Sequence, residues 1–455
     1  MSASSLGLTL WVVLAVQPPG DQTAEPPDPT LTVLAPELEV SEVKPPQGAP
    51  LVGEFGGRTE LRVGQPVGVE NPGVTTELEV DPVVGFRYLG RTGGTTLVYE
   101  PTLYLSTYGT QKVSYLHRAR MNLDLRTSDR LQLFLNARGA FGQYNFSPLT
   151  GVGGVAPGTG TPVPQPGTPV IGTGTVPPVP GTLPDVRFLE YLEAEASAGF
   201  TYGLARGLDW VFSAGYTASG GARVQDRGTL PLQQGPIGQT RLHWTAGPHD
   251  IIEPVLNASH QRFSGLPGEP KAIGPTSTVV DLVTGWTHHW VPGVETTLAA
   301  GASGYHISGV LGAGGSPLPP SSGVLPAAGI ILRVAAAGRN ITSRNELQAL
   351  LAPGADRLTG IVNQRLGALL TSRFGFGEAV FFTVTGEGTA TQNSLQRDVR
   401  IEGRVTYAPT KEVEVSLGAR AAWIRGTSVL GNPASQWTFG WAGFLGLAGY
   451  LGSRL

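Results

Sequence analysis

From about Thr76 onward, apolar residues recur at every second position in segments of about ten to sixteen, separated by turn residues. A repeat of two is that of a β-strand, whose successive side chains point to opposite faces. The run 113–125 shows it well. Val113, Tyr115, His117, Ala119, Met121, Leu123 and Leu125 fall on one face, and Ser114, Leu116, Arg118, Arg120, Asn122 and Asp124 on the other. After the turn Thr127-Ser128-Asp129, Leu131, Leu133, Leu135 and Ala137 alternate with Gln132, Phe134, Asn136 and Arg138, which completes a hairpin. Further hairpins are read over 192–216, 240–256, 279–302 and 399–423, each with a short turn. Their other connections, near 147–184, 220–236, 264–275, 309–324 and 425–435, are longer. Short turns alternating with long loops place the two kinds of connection at opposite rims of the sheet.

Segment length separates a membrane wall from a soluble sandwich. Soluble strands run about five or six residues, whereas crossing hydrocarbon at a tilt takes about nine to eleven. Most segments here reach the longer figure. Extended chain can cross a bilayer only if the sheet closes on itself, because each unpaired backbone group in hydrocarbon costs several kcal/mol. The expected fold is therefore all-β, a transmembrane antiparallel up-and-down β-barrel of about 16–18 strands. Counting from Thr76 gives an odd number, so either an additional weak strand lies within 59–69 or one run is misjudged, and the additional strand is the preferred reading.

Composition agrees with a sheet that needs little charged surface. The chain has 65 Gly and 38 Pro among 455 residues, and only 14% charged residues against roughly 25% in soluble domains. The 40% hydrophobic content argues against disorder. A net charge of −3 leaves no basic excess for a phosphate backbone, so no nucleic-acid partner is expected. Cysteine is absent, which excludes disulfides and thiolate chemistry and suits an oxidising periplasm.

The N-terminus carries the apolar stretch Leu6 to Val16 followed by Pro18-Pro19-Gly20, the form of a signal peptide over 1–17. A Pro-rich, acidic periplasmic linker is expected over 18–57, and the barrel over 58–455. Within the barrel, 147–186 is a long Gly, Pro and Thr-rich loop.

If the apolar face meets lipid, the other face lines the lumen. Arg118, Arg120, Asp124, Arg126 and Arg138 are lumen candidates on neighbouring segments, and Arg118, Arg120, Arg126 and Arg138 suggest an electropositive stretch. Glu193, Glu195, Arg400, Glu402, Arg404 and Arg420 complete the set. Tyr104, Trp286, Trp290, Trp423, Trp437 and Trp441 lie toward run ends, where membrane-interface girdles place aromatics.

The segment 437–450 puts Trp437, Phe439, Trp441, Leu445 and Leu447 on one strand face and small residues on the other. A helix would carry Gly440, Gly443, Gly446 and Gly449 in its interior at about 1 kcal/mol each. The segment resembles the last strand of bacterial outer-membrane barrel proteins, although Gly452-Ser453-Arg454-Leu455 follows it in place of a terminal aromatic. The resemblance covers 76–455 and is architectural, without a motif that names one family. It implies residence in the outer membrane of a Gram-negative bacterium, contact with outer-membrane lipid, and handling by the barrel-assembly machinery.

Phosphate-loop, zinc-protease, nucleophile-elbow and calcium-loop patterns are not found, and His288-His289 point to opposite strand faces and do not chelate one metal easily. No enzymatic activity, metal or cofactor is expected. The functional expectation is a porin-like passive channel for ions or small polar solutes. The alternative is a non-conducting scaffold or surface-binding protein acting through its long loops.

Overall fold

The alternating segments pair with their sequence neighbours and then with each other around a closed ring. The computed structural model describes residues 51–65, 73–90, 92–107, 113–144, 189–228, 230–266, 269–310, 318–338, 340–355, 362–391, 397–410, 412–427 and 433–452. The expected signal peptide, nearly all of the linker and the loop 147–186 lie outside these residues.

The strands are β1 (Leu51–Gln65), β2 (Thr75–Leu89), β3 (Gly93–Tyr99), β4 (Thr102–Ser106), β5 (Val113–Arg126), β6 (Leu131–Tyr144), β7 (Leu189–Ala205), β8 (Leu208–Gly221) and β9 (Leu232–Thr245). There follow β10 (Asp250–Leu266), β11 (Glu269–Val291), β12 (Val294–Ser308), β13 (Ser321–Ala337) and β14 (Ile341–Ala355). The ring is completed by β15 (Val362–Phe376), β16 (Val380–Thr391), β17 (Arg397–Tyr407), β18 (Val413–Thr427) and β19 (Pro433–Gly452).

All pairings are antiparallel, and β1 closes the ring by pairing β2 on one side and β19 on the other. β3 and β4 are two halves of one strand, since both lie between β2 and β5. The break falls at Glu100-Pro101, where proline has no N–H to give the ladder. Even there Glu100 N donates to the Arg118 carbonyl at 2.9 Å. The barrel thus has 18 strands, an even number.

The expected weak strand is β1, but it starts at Leu51, so the barrel begins earlier than 58. Its first half contains Gly53, Gly56 and Gly57, which have no side chains with which to display alternation. A second difference lies at 264–275, which reads as a loop but continues the β10–β11 ladder through Ser264↔Ile273 and Leu266↔Glu269, with register shifts. Bulges admit the Gly and Pro that looked like loop signals.

The short turns need positive φ at particular glycines. Gly207 has φ +73° and Gly293 +82°. A Cβ at Gly293 would also press on the Ala335 carbonyl oxygen. Gly293→Ala is expected to destabilise the barrel by about 1–2 kcal/mol, read as a lower urea midpoint after refolding into vesicles.

The distribution of polarity between the faces is the reverse of a soluble core. On β2 the buried positions include Glu77, Glu79 and Asp81 at 2–3% exposure, and in β11 Asp281 is equally buried. Meanwhile Leu282, Leu417 and Leu447 are 55–62% exposed on the opposite face. Apolar packing on the inner face includes small groups, such as Val283, Ala299 and Ala327 with Leu350 and Ala352. The segment 437–450 is strand throughout, within β19.

Candidate functional site: a charge-lined inner wall

Alternation along β1, β2, β5, β17 and β18 brings five arginines and four carboxylates to the inner face in one connected row. Arg118 donates to Asp81 Oδ1 at 3.3 Å and also reaches Thr102. Arg58 bridges Asp81 Oδ2 and Glu79 Oε1, each at 3.3 Å. Arg62 pairs with Glu79 and donates from Nε to Glu60 Oε1 at 2.7 Å. The other oxygen of Glu60 accepts from Arg404 Nη2 at 3.2 Å. Arg404 Nε in turn donates to Glu402, 3.2 Å away, and Glu402 accepts from Arg420 Nε at 2.8 Å.

The Glu60–Arg404 contact passes over two strands. β19 and β18 lie between β1 and β17, and the register places Gly446 beside Glu60 and Gly418 beside Arg404. Arg404 therefore extends along the wall with its guanidinium 4.5 Å from the centre of the Phe444 ring, a cation–π contact. A Cβ at Gly418 would collide with that ring. The row thus ties the first strand to the last three from inside the barrel.

Other inner charges form smaller groups. Arg138 binds Glu195 Oε2 at 2.7 Å and lies 3.9 Å from Glu193. Arg333 joins Glu295 at 2.9 Å and Glu346 at 3.0 Å. Glu253 lies 2.6 Å from His243 Nδ1, and Arg400 pairs with Glu387 at 3.4 Å.

By strand parity all eleven sequence candidates belong to the inner-face set. Arg120 and Asp124 share the parity of Arg118 on β5, and Arg126 ends that row at the short-turn rim, paired with Asp129 at 3.2 Å. The expected electropositive stretch is not a block of uncompensated charge. Carboxylates from β2, from β7 and from the turn after β5 meet Arg118, Arg138 and Arg126. Sequence reading missed Arg58, Glu60, Arg62, Glu77, Glu79 and Asp81, although Glu77, Glu79 and Asp81 at intervals of two are the same alternation signal.

Of the aromatics, Trp286, Trp290, Trp423, Trp437 and Trp441 stand on the outer face. Trp286 donates to Asp250 Oδ1 at 2.9 Å, and His288 lies between Trp286 and Trp290, its ring centroid 4.5 Å from that of Trp290. Tyr104 corrects the expectation. It pairs in register with Glu79 and Ser114, both buried, so it lies on the inner face, and Leu103 and Leu105 take the outer positions. Among the described residues no group of three His, Asp or Glu is placed to hold a metal ion.

A family model for EpsX, an exopolysaccharide export family, matches residues 57–450, which spans the ring from β1 to β19. The chain belongs to the EpsX exopolysaccharide export family. No curated protein matches the chain in sequence. Among solved structures, OpdO of Pseudomonas aeruginosa aligns over 89% of this chain and 97% of its own at 11% identity, with a TM-score of 0.43. The ferric-catecholate import receptor Fiu of E. coli K12, in its open form, aligns over 87% and 81% at 10% identity and a TM-score of 0.43. OccK11 of P. aeruginosa gives 88% and 96% at 11% identity and 0.40. In this EpsX-family chain, the family match thus includes the whole of the charged row, from Arg58 to Arg420.

Proposed function

We propose that this barrel sits in a bacterial outer membrane and provides the passage by which an exopolysaccharide leaves the cell. Family membership supplies the cargo class, and the single observation that carries the channel reading is the inversion of polarity across the wall. A ring of 18 strands is of the size that leaves an aqueous lumen. The outer face supports the membrane setting through two aromatic tiers. Tyr88, Tyr202, Trp210, Trp244, Trp290 and Tyr407 lie toward the short-turn rim, and Tyr115, Phe141, Tyr216 and Trp437 toward the other, all exposed.

The inner surface suits a hydrated polymer that slides without a fixed binding site. Hydroxyls and amides such as Ser114, Thr217, Gln233, Asn257 and Gln261 share the inner wall with paired arginines and carboxylates such as Arg138–Glu195 and Arg333–Glu346. Because positive and negative groups are matched locally, the wall presents little net field to an ion. Outer-membrane lipid is the lateral partner in this reading, and the barrel-assembly machinery acts during biogenesis. No catalytic group or cofactor is invoked.

Planar-bilayer recording of the refolded full chain tests the reading. Ohmic conductance with a cation-to-anion permeability ratio near unity is the expected result, together with transient blockade by a neutral polysaccharide such as dextran. A silent bilayer containing correctly folded protein would replace the channel by a scaffold acting through the loops.

A further inference from the structure

The outer face of β16 to β19 carries its charge at one place. By register, the outer positions of β16 are Val380, Phe382, Val384, Gly386, Gly388 and Ala390, and those of β17 are Arg397, Val399, Ile401, Gly403, Val405 and Tyr407. On β18 they run from Val413 through Leu417 and Trp423 to Arg425, and on β19 from Trp437 through Leu445 to Leu451. The two charges on this apolar surface are both arginines, and they are direct register partners, Arg397↔Arg425. Both lie at the long-loop ends of their strands, one step beyond the register pair Val399↔Trp423.

Like charges directly opposite on adjacent strands destabilise a sheet. The flanking connections 392–396 and 428–432 contain no Asp or Glu to neutralise them. Arg425 Nε is buried and meets no acceptor among the described residues. Trp423, which packs at 5.2 Å against Phe439, sets the level at which an aromatic tier meets headgroups. Two guanidinium forks side by side at that level are a bidentate receptor for a phosphate group.

We propose that Arg397 and Arg425 form a lateral site for the phosphate of an outer-leaflet glycolipid headgroup, its acyl chains lying on Val399, Trp423 and Phe439. The inference rests on the membrane setting proposed above, and it concerns the outside of the wall, not the passage. A free anion would use the same guanidinium groups. The lipid is favoured because the ground directly beneath them is apolar.

The test uses the refolded full chain in detergent, titrated with bisphosphorylated lipid A and read by native mass spectrometry. The variants are R397Q, R425Q and the double R397Q/R425Q, with R262Q on β10 as a control elsewhere on the outer wall. Expected are affinity lowered about tenfold in the double variant, a smaller loss in each single variant, and wild-type affinity in R262Q. R425K keeps the charge without the fork and is expected to fall between wild type and R425Q. Dephosphorylated lipid A should bind as weakly to wild type as lipid A does to the double variant. Equal affinity of the double variant and wild type for lipid A, or of wild type for the two lipids, overturns the proposal, as does inorganic phosphate binding as tightly as lipid A. Heat-modifiable migration in detergent gels shows which variants have folded, and the single variants keep the test open if the double does not. Absence of conductance would remove the channel reading and leave these results unaffected.

Discussion

Glu60→Ala is expected to cost the folded barrel about 3 kcal/mol, more than any other single inner-wall replacement proposed here. Glu60 is 1% exposed and accepts from two arginines, Arg62 at 2.7 Å and Arg404 at 3.2 Å. Removing one partner from a buried ion pair typically costs 3–5 kcal/mol, because a charge is left without compensation. The lower end applies here. Arg62 retains Glu79, Arg404 retains Glu402, and Arg404 is 22% exposed and partly screened. The measurement is urea unfolding from vesicles followed by tryptophan fluorescence. Replacing both partners with apolar residues, Glu60→Leu with Arg404→Met, removes the stranded charges and is expected to recover at least half of the loss. A loss below about 0.5 kcal/mol for Glu60→Ala would place the energy of closure in the β1–β19 ladder alone.

That the closing strands need such a tie follows from the sequence of β1. The first strand must hold both β2 and β19, yet Gly53, Gly56, Gly57 and Gly64 leave it few side chains to pack. β19 is similarly rich in glycine at the facing positions, with Gly449 opposite Gly57 and Gly443 opposite Val63. Backbone hydrogen bonds close the ring there, and the ion row adds a side-chain link from β1 to β17 across the glycines of the intervening strands.

The same features explain what could and could not be read from the chain. Alternation on β5, β6, β7, β17 and β18 is dense, and strand parity alone puts the eleven charges named from the sequence on one face of the sheet. Tyr104 is the exception, because its nearness to a run end suggests the interface whereas its parity with Glu79 and Ser114 puts it on the inner face. Pro101 interrupts the run, and Leu103 and Leu105 are the residues that mark the outer face. The carboxylate row on β2 shows the period of two as clearly as β5 does, but β1 was too weak to indicate that β2 had a partner on each side. The identity of ion partners was not legible at all. Glu60 and Arg404 are 344 positions apart and meet only because the ring closes and glycines clear the floor between them.

Leu417→Arg tests the physical claim beneath every functional statement, that the exposed apolar face touches acyl chains and not water. Leu417 is 62% exposed and pairs in register with Leu445 on β19 and with Val405 on β17. On a water-facing surface an exposed Leu→Arg exchange falls within about ±0.5 kcal/mol. Facing lipid one outward position inside the aromatic tier marked by Tyr407, the register partner of Val415, it costs about 2 kcal/mol, the lower end of the range at the midplane of a transmembrane barrel. The two environments therefore predict outcomes that differ by a factor of about ten or more in the folding equilibrium. The expected result is destabilisation of about 2 kcal/mol in vesicles, together with poor recovery of the variant in the membrane fraction. An inner-face control, Ser416→Arg one residue away, points into the polar wall and is expected to cost less than half as much. If Leu417→Arg instead behaved as a neutral surface change, the apolar face would be solvated or covered by protein, and a passage across a membrane would lose its physical basis.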